Sequence, residues 1–177
     1  MTDPLNSTDF IESRALGLRV WGDRSGSTSE VGRAYNEGTK GANGGPPHIH
    51  LLQEERFIVH TGILRVRRGH ERLRVGAGEE VRIPPRTVHT FKTEAASTWT
   101  VEFRPQLRVW DFFCALFALP INRRGYPRVG DLARLLRAFP DEFLYFPIVP
   151  VSVQRALAVP LSKLGPRPRA RAASGAP

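Results

Sequence analysis

The stretch Pro47-His48-Ile49-His50-Leu51-Leu52-Gln53-Glu54-Glu55-Arg56-Phe57-Ile58-Val59-His60-Thr61-Gly62 has the spacing of strand, turn and strand. His48 and His50 stand at i and i+2, which on a strand puts both imidazoles on one face. Residues 51–54 turn the chain. Glu55 opens a second strand and shares a face with Phe57 and Val59. Arg56, Ile58 and His60 take the other face, and Gly62 ends the strand at a turn. A second stretch, residues 78–93, contains Ile83-Pro84-Pro85-Arg86-Thr87-Val88-His89-Thr90-Phe91. Its Pro-Pro corner feeds a short strand on which His89 shares a face with Phe91. If that strand lies near the first pair, His48, His50, Glu55 and His89 converge. Three imidazoles and one carboxylate suit a divalent first-row transition metal: Fe, Mn, Ni, Cu or Zn.

These spacings resemble the two motifs of the cupin superfamily. The first is H-x-H, four residues, E, six residues, G, and His48, His50, Glu55 and Gly62 meet every gap. The second is G, five residues, P-x-G, two residues, H, three residues, N. Gly78, Pro84 and His89 meet it, with Arg86 in place of the second glycine and Thr93 in place of the asparagine. Ala42 stands where the family places a glycine ahead of the first histidine. The departures fall at turns and at the rim, and the four ligand positions are intact. The resemblance spans roughly residues 15–104. It implies an all-β cupin-like barrel, a double-stranded β-helix or jelly roll. It also implies metal-dependent chemistry of oxygenase, isomerase, cyclase or decarboxylase type, often in secondary metabolism, and a homodimer.

A chain of 177 residues fits one domain with a proper core. Its 15 Pro and 16 Gly suit many short strands and turns. The lone Cys114 excludes an internal disulfide and fits a reducing compartment. The polar, acidic N-terminus is no signal peptide, so a cytoplasmic location is expected. Residues 109–119 are too few to span a bilayer, and Pro147 and Pro150 break residues 143–153, so no membrane partner is expected. The net charge of +9 invites a nucleic-acid reading. Against it, arginine outnumbers lysine 23 to 3, which looks like codon bias of a GC-rich genome. Arg155, Lys163, Arg167, Arg169 and Arg171 supply five of the nine excess charges, and no stretch interleaves basic and aromatic residues. Solvated surface is the expectation, with a small molecule rather than nucleic acid as partner.

Along the chain, residues 1–13 read as a loose arm and 14–104 as the barrel. Strands are expected at 15–21, 30–37, 63–68, 72–75, 80–83 and 98–104, in addition to those carrying the motifs. This is the signature of a small barrel or jelly roll. Residues 38–47 read as a mobile loop at the mouth. From Val109 the period becomes helical: Trp110, Phe113 and Phe117 recur, as do Phe112 and Leu116, up to Pro120. Leu132, Leu135, Leu136 and Phe139 predict a second helix. Residues 151–164 form a weaker third, interrupted by Pro160. The extension, 105–164, must bury its apolar faces on the barrel or on a dimer partner. Residues 165–177 read as a disordered basic tail.

Each sharp reading has a plainer competitor. The three histidines can be polar residues of a barrel without metal, but such a cluster needs hydrogen-bond partners that the sequence does not supply. Glu55 is either the fourth ligand or a general base. Phe57, Val59 and Phe91, with Val101 and Phe103, are either plain core or the lining of an apolar substrate pocket. Arg86 has the chemistry to clamp a carboxylate or phenolate, against the ordinary role of a solvated rim arginine. His60 and His70 read as solvent-facing and Cys114 as a small core residue. The function expected is a metal-dependent enzyme, oxygenase-like or isomerase/cyclase-like, on a small, largely apolar substrate, aromatic or polyketide-like. The alternative is a non-catalytic small-molecule sensor.

Overall fold

The computed structural model describes residues 10–23, 26–122, 126–142 and 149–164. Those residues form nine strands and three helices. The strands are β1 (Phe10–Ser13), β2 (Leu18–Gly22), β3 (Gly32–Gly38), β4 (Glu54–Thr61), β5 (Ile63–Arg68), β6 (Glu71–Gly76), β7 (Glu80–Ile83), β8 (His89–Thr93) and β9 (Ser97–Arg104). The helices are α1 (Val109–Phe117), α2 (Val129–Ala138) and α3 (Val151–Leu161). A six-stranded sheet runs β1-β2-β3-β9-β4-β7 and faces a three-stranded sheet, β6-β5-β8, with every pairing antiparallel.

Alternation drives the barrel. Along β4, Glu55, Phe57 and Val59 are buried, while Arg56 and Ile58 are only partly covered and His60 is exposed. Trp99, Val101 and Phe103 of β9 and Leu64 and Val66 of β5 complete the same core. The turn between β4 and β5 depends on Gly62, whose φ is +75°. A Cβ there would lie 2.2 Å from Ser97 Oγ and 2.6 Å from the Ala96 carbonyl, so no other residue fits.

Four expectations need correction. Residues 10–13 are not loose arm: they form β1, paired with β2 from Phe10↔Trp21 to Ser13↔Leu18. Residues 1–9, and the tail at 165–177, lie outside the described residues. The His48–His50 segment is not a regular strand; it holds the isolated bridge His48↔His89. The loop at 38–47 is anchored: Ala42 is buried, Asn43 bridges Lys92, and the Gly41 and Gly44 amides donate to Thr93 and Phe91. Pro160 does not interrupt α3, which runs through it to Leu161. At the last turn its ring and missing N–H disturb one hydrogen bond rather than a helix interior.

The helical extension closes the mouth of its own barrel. Phe113 of α1 meets Phe103 at 5.6 Å between ring centroids. Phe112 and Leu116 pack with Leu132, Leu135 and Phe139 of α2 in a second core. Ile49 and Leu51 pack against Val88, Leu136 and Val151, tying α2 and α3 to the rim beside the histidines.

Candidate metal centre

The four candidate ligands come from three places in the chain. The bridge segment supplies His48 and His50, the start of β4 supplies Glu55, and the start of β8 supplies His89. One ligand atom from each lies within 4.8 Å of the others. His50, Glu55 and His89 are buried and His48 is partly so. The bridge between His48 and His89 sets the two rings 4.4 Å apart.

Every imidazole is oriented by a main-chain carbonyl. Nδ1 of His48 lies 3.0 Å from Pro46 O, Nδ1 of His50 lies 2.6 Å from Glu142 O, and Nδ1 of His89 lies 2.9 Å from Thr87 O. A carbonyl can only accept, so each Nδ1 carries a proton, and in the neutral ring each Nε2 presents a lone pair. Outer hydrogen bonds of this kind fix the tautomer and aim of metal-ligating histidines.

The centre of the cluster is where donors are missing. Glu55 Oε2 approaches His89 Nε2 at 2.7 Å and His50 Nε2 at 3.8 Å. Yet neither Glu55 Oε2 nor His89 Nε2 has a partner of hydrogen-bond geometry, although both atoms are buried. Lone pairs converging on one buried point call for a cation there. The residues present therefore fit a divalent metal. The electrostatics agree. Burial pushes His48 well below the ordinary imidazole range, with the charge of His89 and His50 adding to it. Burial and His89 bring His50 down to about 3. Burial also acts against a charged His89, but the Glu55 carboxylate and the Thr87 carbonyl outweigh it and raise its pKa. Two imidazoles held neutral by burial and a third drawn to the Glu55 carboxylate make a cluster able to hold a metal ion.

Beside the cluster lies a cavity of about 60 Å³. His48, His50 and Glu55 form its polar wall. Leu16, Leu18, Val20 and Asn36, Phe91 and Val101, and the α1 side chains Phe112, Phe113, Leu116 and Phe117 form the rest. Of the residues expected to line a pocket, Phe91 does so. Phe57 and Val59 do not: both are about 1% exposed and belong to the core, with Phe57 packed edge-on behind Phe91 at 5.5 Å. Arg86 is also off the cavity wall. Its contact with the site is through the backbone, its amide donating to His50 O at 2.7 Å. His60 points outward as expected, stacked on Tyr35 and 2.8 Å from Thr100 Oγ1.

Sequence reading missed three contributors. The phenylalanines of α1 showed as a helical stripe, which reports burial but not against what. Glu142 carried no signal: its carbonyl orients His50 and its Oε1 accepts from the Arg108 amide at 2.6 Å. Burial raises its pKa against the pull of that amide. Gln53, about 1% exposed, donates to Pro105 O and Gln106 O and joins the rim to the start of the extension.

Residues 38–101 match the sequence profile of the cupin domain. No curated protein sequence matches the chain. Among solved structures, KdgF from a Halomonas species superposes with a TM-score of 0.52 at 21% identity, over 58% of this chain and 90% of its own. An RmlC-like cupin from Shewanella frigidimarina gives 0.50 at 22% identity, over 56% and 86%. At such identities the likeness is one of fold. The profile match, both motifs and the barrel agree: residues 38–101 carry a cupin domain, and the chain adds a C-terminal helical extension to that fold.

Proposed function

We propose that the chain is a metal-dependent enzyme acting on a small, largely apolar substrate, by oxygenase-like or isomerase/cyclase-like chemistry. The observation that carries this reading is the set of three carbonyl-oriented imidazoles around an unpartnered Glu55 oxygen, opening on an apolar cavity. His48, His50 and His89 hold the ion through Nε2. A bound divalent ion supplies Lewis-acid polarisation of a substrate oxygen, and iron, nickel or copper adds dioxygen chemistry. Glu55 either completes the ligand set or takes up a proton at Oε2. The phenylalanines of α1 exclude water, which strengthens every charge interaction inside. A cavity of about 60 Å³ has room for a reacting group or a few waters. A whole substrate therefore reaches the cluster with α1 displaced.

Metal analysis by mass spectrometry of the untagged protein tests the centre, alongside His48→Ala/His50→Ala. About one equivalent of bound metal in the wild type, lost in the double variant, is expected. Absence of metal from the wild type even after reconstitution overturns the reading. The metal found narrows the chemistry: iron, nickel or copper toward dioxygen, zinc or manganese toward Lewis-acid catalysis.

A further inference from the structure

On the side of the barrel formed by β6-β5-β8, strand register does what composition could not show. Leu64 and Val66 point into the core, so Arg65 and Arg67 point out. Pairing sets Arg65 opposite Arg74 on β6 and opposite Lys92 on β8, and sets Arg67 opposite Arg72. Like charges directly across a sheet destabilise it, so this arrangement costs the fold something. Glu94 offsets part of it, accepting from Arg65 and, at 3.1 Å, from Arg74. Arg67, Arg72 and Lys92 form no ion pair among the described residues, and all three are exposed. The five cations line one open groove of about 940 Å³.

We propose that this basic face binds the phosphodiester backbone of nucleic acid without reading its sequence. Composition gives no sign of this grouping, because strand pairing brings the cations of residues 65 to 92 onto one face. The character of the face selects the ligand. Its cations are solvated and spread over three strands rather than converging on one point, so a single small anion gains little from them. A polymer gains from each one, through release of its condensed counterions. Alternate residues of a strand recur every ~6.7 Å, which gives rows of guanidiniums suited to a regularly charged chain. Guanidinium pairs with phosphate bidentately. A membrane surface fits poorly. The face is concave, and none of the exposed large apolar residues lies on β5, β6 or β8, whereas membrane-surface elements insert such side chains. The one ring on the groove wall, Phe91, is half-buried and packed edge-on against Phe57 and Trp99, so the contact is chiefly to the backbone.

The test is fluorescence anisotropy of a 20-nucleotide oligothymidylate with the untagged full-length protein from 25 to 200 mM salt. Binding should weaken with salt, with a log–log slope of about −3, at ~0.7 per cation engaged. Arg67→Ser/Arg72→Ser should reduce the slope by about 1.4, while Arg14→Ser/Arg19→Ser, in the β1–β2 turn and on β2 of the other sheet, leaves it unchanged. The melting temperature of Arg67→Ser/Arg72→Ser should equal or exceed that of the wild type, since a like-charge pair is removed, and its metal content should be unchanged, which separates this proposal from the reading of the metal centre. If that variant misfolds, Lys92→Ser alone should lower the slope by about 0.7. No binding at 25 mM salt overturns the proposal. So does equal weakening in both double variants, which would mean diffuse charge, or equally tight binding of a polyglutamate of similar length, which would mean an acidic polypeptide ligand.

Discussion

Arg86 sits in the left-handed region, at φ 63°, where the related motif has a glycine. A side chain with a Cβ pays ~1–2 kcal/mol there, and glycine gives back part of that through its freer unfolded state. The position survives because the turn is held from outside: the Arg86 amide donates to His50 O, and the Thr87 amide to Pro84 O. Arg86→Gly should therefore raise stability by about 0.5–1 kcal/mol, visible as a rise of a few degrees in thermal melting with metal content unchanged. A clear drop in melting temperature would show that the guanidinium supports the rim. The same residue explains why a motif match can be incomplete at a turn and complete at its ligands. Backbone strain at a turn is tolerable at this cost, while a missing imidazole is not replaced by anything nearby.

At the scale of elements, α1 is the piece that turns a barrel with a polar mouth into an enclosed site. Its Phe112 and Leu116 join α2, and its Phe113 meets Phe103 within the barrel. On the other side, Gln53 and the Arg108 amide tie the start of the extension to the rim and to Glu142. Truncation after Arg104 should remove this cover, expose Phe103 and Leu51 and leave His50 without its orienting carbonyl. The expected outcome is aggregation of the truncated protein in size-exclusion chromatography. A monodisperse, metal-loaded barrel comprising only residues 1–104 would show that the extension is dispensable to the fold and to the centre.

For the molecule as a whole, part of the stability lost in acid comes from the outer face of the larger sheet. Glu102 of β9 is about 1% exposed, yet three arginines reach it. Arg33 lies at 2.7 Å, and Arg56 and Arg104 lie at 3.2 Å. Burial pushes its pKa up, and these guanidiniums, Arg33 foremost, more than reverse that and hold it below the usual carboxylate value. A carboxylate whose pKa is depressed by folding stabilises the native state above the unfolded-state value near 4.5, and that contribution disappears as pH falls through the folded-state value. Glu102→Gln should cost ~2 kcal/mol at neutral pH and flatten the fall in melting temperature below pH 4.5. An unchanged acid profile would place the loss of stability elsewhere. What the sequence by itself determined is whatever repeats locally. Strand parity and the helical stripes of α1 and α2 follow from periods of 2 and 3.6 residues along the chain, and the motif from His48 to Gly62 is read directly from its spacing. Only the tertiary structure decided that α1 closes the cavity in place of Phe57 and Val59, that Glu142 aims a histidine 92 residues away, and that arginines on separate strands form one basic face. Those facts depend on how elements meet. Register, loop path and packing set that meeting, and local periodicity carries no record of them.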